Sequence, residues 1–170
     1  MKYIKKLLVG VLVLFVMGLL VPQNLEMPVE GATQADFNPR SFWAYPWGSS
    51  IVHKGVDIFA GKGTNVRSST VGLVLLTGRL GKGGNVVLIL GPKWRLHYYA
   101  HLDEITTTPF SIVTHNSRIG TVGNTGNAAT TPSHLHYAIG TMVPYLHRID
   151  GAHLGWQKAF YLNPIDYLKE

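Results

Sequence analysis

Hydrophobic and polar positions follow two different rules along this chain. From Leu7 to Val21 there is no polar side chain at all; Lys2, Lys5 and Lys6 precede the run and Pro22 closes it. Fifteen such residues match the roughly 7–15 of a signal-peptide core. They fall short of the roughly 20 that span a bilayer, although Tyr3 and Ile4 extend them. No small-x-small cleavage site follows Val21, so residues 1–22 read either as a cleaved signal peptide or as a retained membrane anchor. In both cases the lysines stay cytoplasmic and the rest of the chain crosses the membrane. Residues 23–40 mix Pro, Gln, Asn, Gly and Thr without periodicity and read as a linker.

From about Ser41 the pattern changes to short β-type runs punctuated by glycine. The runs are Ile51–Phe59, Val71–Thr77, Asn85–Leu90, Trp94–Leu102, Arg118–Val122 and His134–Ile139. Turn signals separate them, including Gly81-Lys82-Gly83-Gly84-Asn85 and Gly123-Asn124-Thr125-Gly126-Asn127. Closely spaced strands without long helical patterns between them predict a mainly β fold. Residues 41–170 are expected to form one antiparallel, sheet- or sandwich-like domain behind an N-terminal hydrophobic helix. Gly155–Lys169 is the expected place for a short helix, interrupted by Pro164.

Composition removes several chemistries. With no cysteine among 170 residues, thiolate zinc sites, thiol catalysis, disulfides and a lipidated cysteine are excluded. Lys and Arg number 15 against 9 Asp and Glu, but three of those lysines lie in the leader. The small excess that is left serves solubility, or attraction to an anionic polymer such as a cell wall. No basic run with interleaved aromatics points to nucleic acid. The glycine clusters lack the spacing and the GKS/T ending of a phosphate loop, and no G-x-S-x-G elbow is present.

Histidine carries the chemistry. His53-Lys54-Gly55-Val56-Asp57, a lone His101 and His134-Leu135-His136 offer more metal-capable side chains than one ion needs. Three ligands leave an open position and two spare imidazoles, as a hydrolytic zinc site requires. Alternation along a strand puts His53, Gly55 and Asp57 on one face, with Lys54, Val56 and Ile58 on the other. Gly55 would leave room between the two ligands for a metal or substrate. His134 and His136 share a face, and His97, Tyr99 and His101 share another. A single His-x-His is weak by itself, and a lone histidine is more often structural than catalytic. The combination points to an enzyme.

These segments, with Tyr99-Ala100-His101-Leu102 and Ile119-Gly120-Thr121-Val122-Gly123-Asn124-Thr125-Gly126, resemble the lysostaphin-type zinc endopeptidases of bacterial cell walls, the LytM and β-lytic group. They stand in that family's order, and the resemblance runs from about Trp43 to Leu168. It implies that His53, Asp57 and His136 hold Zn2+ and that His101 and His134 are the catalytic histidines. It also implies an open groove, cleavage of peptidoglycan stem peptides or cross-links, an extracytoplasmic location (periplasmic or cell-envelope, anchored or secreted) and a monomer. Tyr45 and Tyr99 are candidate substrate contacts, with buried packing as the plainer role. The chain departs from the family at Asn116, where a turn glycine is usual, at Ser133, at Ala138, and in the longer connection Met142–Leu162 with His147, His153 and Trp156. That connection forms either a wall of the groove or a surface excursion. A different class of protein, a catalytically silent relative that regulates a partner hydrolase, is the competing expectation. Such proteins typically lose ligand or catalytic residues, and all five positions stand here.

Overall fold

The computed structural model describes residues 2–168. The N-terminal apolar segment forms one helix, α1 (Lys2–Leu20), with no buried residue. Its 19 residues reach about 28 Å, close to the roughly 30 Å hydrocarbon core of a bilayer. Trp94 reaches it, stacking on Phe15 and donating its indole N–H to the Phe15 carbonyl at 2.8 Å.

Among the described residues the strands are β1 (Val56–Phe59), β2 (Asn65–Arg67), β3 (Gly72–Leu80), β4 (Gly84–Gly91), β5 (Arg95–Ile105), β6 (Ile112–Val113), β7 (Arg118–Val122), β8 (His134–Thr141) and β9 (Tyr161–Leu162). All pair antiparallel in one sheet, in the order β1-β8-β5-β4-β3-β6, with β9 added to β8 and β2 to β7. The mainly β, antiparallel expectation is met. Gly155–Phe160 and Pro164–Asp166 are 3-10 turns, and β9 occupies the space between them.

The sheet forks in the middle of β5. Up to Ala100 this strand pairs with β8, Tyr99 opposite Tyr137 and Ala100 opposite His136. From Leu102 it pairs with β7 instead. At the fork one extra residue enters β5: Val87 faces Tyr99, but Asn85 faces Leu102. This is a β-bulge, which aims two successive side chains to one face. His101 takes it up with a φ of +64°, a region where His is tolerated better than most residues.

One face of the sheet buries Val56, Ile58, Tyr99, Leu102, Leu135, Tyr137 and Ile139. Residues 23–40, expected as a linker, reach this core: Val29 and Phe37 are buried in it, and Val29 bridges to Val66. Backbone bonds run from Glu26 N to Ser69 O and from Arg67 N to Pro28 O. Asn116 does not take up the positive φ for which asparagine would suit its turn; the Thr114–Ser117 backbone and side-chain bonds close it.

Candidate active site

The other face of the sheet carries a groove of about 600 Å³ at the fork, lined among others by His53, Asp57, His101, His134 and His136. The structure brings all five of these sequence-selected residues together. Asp57 projects from β1 and faces His136 across the β1–β8 ladder. Strict alternation along β8 sends His134, His136 and Ala138 into the groove while Leu135 and Tyr137 enter the core. Ser133 ties the start of β8 to the end of β1, its hydroxyl donating to the Ala60 carbonyl at 2.7 Å.

Three donor atoms converge. Asp57 Oδ1 lies 2.8 Å from His136 Nδ1 and 3.0 Å from His53 Nε2, and those two nitrogens are 3.1 Å apart. His53 Nδ1 is 3.0 Å from the Ser41 carbonyl. A carbonyl only accepts, so Nδ1 carries the proton and Nε2 presents a lone pair to the cluster. Lone pairs from imidazole and carboxylate aimed at one point repel unless a proton or a cation joins them. Two imidazoles and a carboxylate are also a recurrent catalytic zinc set. The residues therefore fit the metal. Burial pushes the Asp57 carboxyl up, but its contacts with His136 and then His53 outweigh it and hold it well below the usual carboxylate range. Burial lowers His136, with the Asp57 contact opposing the shift.

Two further imidazoles flank the cluster. His134 Nε2 is 3.9 Å from Asp57 Oδ1, and the His101 and His134 rings meet edge to face at 5.0 Å. Each has its Nδ1 tied to a backbone carbonyl, Pro132 for His134 and Thr125 for His101, at 2.8 and 2.9 Å. Both Nε2 atoms are thereby left as acceptors. Burial, then the nearby His136, lowers His101 to about 4, so it stands neutral at pH 7. The glycine-rich segment after β7 holds Thr125 in place: its hydroxyl donates to Leu102 O and accepts from Asn85 N. Gly123 permits the approach, since a Cβ there would stand 2.4 Å from Asp103 N.

Several expectations are corrected by this geometry. His101 does not share a face with His97 and Tyr99; the bulge turns it to the groove, and His97 and Tyr99 are fully buried behind the sheet. Tyr99 bonds to Ser69 there. Tyr45 stacks on His153 at 3.6 Å and does not line the groove. The tyrosines that do are Tyr98 and Tyr161. Tyr98 was legible as the residue two before Ala100, which faces His136. Trp47, also missed, stacks on His53 at 4.2 Å. Gly55 leaves no open space: a Cβ there would meet Tyr137 O at 2.4 Å and the His136 ring at 3.0 Å. Lys54 lines the groove instead of turning away, because β1 begins only at Val56 and alternation does not govern it. Of the Met142–Leu162 connection, Tyr161 alone is among the lining residues; His147, His153 and Trp156 are not.

The chain is similar in sequence and in fold to known proteins. The chain is 34% identical over 115 residues to the L-Ala–D-Glu endopeptidase of Bacillus subtilis, across 62% of this chain and 35% of that protein. It is 40% identical over 86 residues to the DD-carboxypeptidase/endopeptidase Mpg of Neisseria meningitidis, across 51% of this chain and 19% of that protein. It thus spans about a third or less of the length of these relatives. The fold resembles the catalytic domain of the antimicrobial peptidase lysostaphin from Staphylococcus simulans, with a TM-score of 0.61, 24% identity, and coverage of 76% of this chain and 90% of that one. Residues 51–147 match the model of peptidase family M23, and the chain belongs to that family.

Proposed function

We propose that this chain is a zinc-dependent endopeptidase that hydrolyses peptide cross-links or stem peptides of bacterial peptidoglycan. Residues 41–170 form the peptidase domain and residues 1–22 deliver it across the membrane or hold it there. The observation that carries the reading is the convergence of His53 Nε2, Asp57 Oδ1 and His136 Nδ1 within 3.1 Å, beside two imidazoles with their Nε2 atoms free. Zn2+ held by these three atoms would supply Lewis-acid activation of a water, whose pKa such a site lowers to about 7. No glutamate base of the H-E-x-x-H kind is present, so the proton falls to imidazole. His134 or His101 accepts it from the attacking water through Nε2, stabilises the tetrahedral oxyanion of the substrate once protonated, and returns the proton to the leaving amine. The names of the relatives, both endopeptidases, support peptidoglycan as the substrate. An open groove suits an extended peptide read through its main chain.

The full chain, purified in detergent, should contain zinc and release new amino groups from purified peptidoglycan. A chelator should abolish the release and added zinc restore it. Intact walls together with faster digestion by a partner hydrolase would establish the silent regulator instead. Mass spectrometry of fragments from walls of defined cross-link chemistry identifies the bond. His134→Ala should stop turnover and keep most zinc, whereas His136→Ala should lose both; zinc loss in the first would mean that the two roles are exchanged.

A further inference from the structure

The groove carries three charged side chains among its described lining residues, and two are engaged. Asp57 belongs to the metal cluster, and Lys82 donates its ammonium to the Ser49 carbonyl at 2.7 Å. Lys54 is the third. Among the described residues it has no ion pair and no side-chain hydrogen bond; its ammonium rests 5.4 Å from the centre of the Tyr161 ring. Lys62 and Lys158, outside the groove, both have carboxylate partners.

Position sharpens the contrast. Tyr161 pairs with Gly140 on β8, four residues beyond His136, whereas His134 begins the strand and His101 lies beside it. Lys54 therefore stands on the opposite side of the Asp57 cluster from the two free imidazoles. A stem lying on an aromatic ring with its head in water is common for lysine. Here, however, the ring contact leaves all three ammonium donors unspent inside a concave site. A partly buried cation without a counter-ion, at one end of a substrate groove, favours a ligand that brings the anion.

We propose that Lys54 binds a free carboxylate of the substrate, so that the groove selects peptides acidic beside the scissile bond over neutral peptides of equal length. The proposal rests on the peptidase reading and adds the substrate class. The carboxylate belongs either to a residue within the peptide or to its C-terminus, and Lys54 would bind both through the same charge-assisted hydrogen bonds.

The test compares matched peptides differing only as carboxylate or carboxamide, at an internal residue in one pair and at the C-terminus in another. Affinity is measured on the zinc-loaded full chain carrying His134→Ala, with and without Lys54→Gln, and kcat/KM on the same pair with His134 intact. Lys54 intact should favour a carboxylate about tenfold; Lys54→Gln should erase that preference and Lys54→Arg restore it. The pair that shows the preference identifies the source of the carboxylate. If Lys54→Gln does not fold, raising salt with Lys54 intact should still erode the preference. Equal affinity for acid and amide overturns the proposal, and so does a preference that survives Lys54→Gln, which would assign the carboxylate to the metal cluster. Lys54-dependent binding without cleavage of any peptide would leave the proposal standing and remove the peptidase reading.

Discussion

Strand β5 carries two histidines, His97 and His101, on opposite sides of the sheet. Burial does not distinguish them, since both are nearly inaccessible, at 0% and 8% exposure. What separates them is the second ring nitrogen. Arg95 holds the Gln23 carbonyl oxygen, so the Gln23 amide donates to His97 Nε2 at 2.9 Å. His97 Nδ1 then donates to the Tyr137 hydroxyl at 2.7 Å, and Tyr137 bonds onward to Ser69. Both nitrogens of His97 are used up. His101 spends only Nδ1, on Thr125 O, and its Nε2 faces the groove. A histidine with one nitrogen anchored and one free is poised for proton transfer, and one with both engaged is a structural cross-link.

The comparison breaks most sharply under substitution. His101→Gly should cut turnover about 10²- to 10⁴-fold with little change in unfolding midpoint, because glycine suits the φ of +64° at the bulge. His97→Ala should do the reverse. It opens a cavity and strands the Tyr137 hydroxyl and the Gln23 amide, costing about 3 kcal/mol without loss of zinc. Urea unfolding, zinc content and peptidoglycan digestion on both variants are sufficient to decide. If folded His97→Ala protein lost turnover as severely as His101→Gly, the two histidines would belong to one functional network.

The same strand marks how far the sequence could be read. Alternation works where a ladder is continuous, as on β8, where His134 and His136 reach the groove and Leu135 and Tyr137 the core. It fails at His101 because the bulge depends on how β5 pairs with β4 on one side and β7 on the other, which alternation along a single strand does not encode. It also fails at Lys54, which precedes the first residue of β1. The pairing of β9 with β8 brings Tyr161 to the groove, and nothing local announces it. Val29 and Phe37 lie in a stretch without periodicity, so their burial had no pattern to reveal it. Resemblance to known enzymes put His101 beside the His134–His136 pair; periodicity alone put it on one face with His97 and Tyr99.

A smaller effect separates the two histidines by pH. Burial, then the charge of Arg95, lowers His97 from 6.5 to about 3. The unfolded chain therefore binds the proton first as pH falls, and folding excludes it. Stability tied to His97 is complete above about pH 7 and is lost from about pH 6.5 down to about pH 3, at up to about 1.4 kcal/mol per unit. Between pH 7 and pH 5 the loss should be about 2 kcal/mol. In His97→Gln, which cannot titrate, the same pH step should cost correspondingly less, even though that variant starts from lower stability. Chemical denaturation of both proteins at the two pH values, in one metal state, isolates the difference, since every other titrating group is common to them. Parallel curves would mean that His97 takes up its proton in the folded state, and that the chain through Gln23 and Tyr137 does not hold its ring neutral.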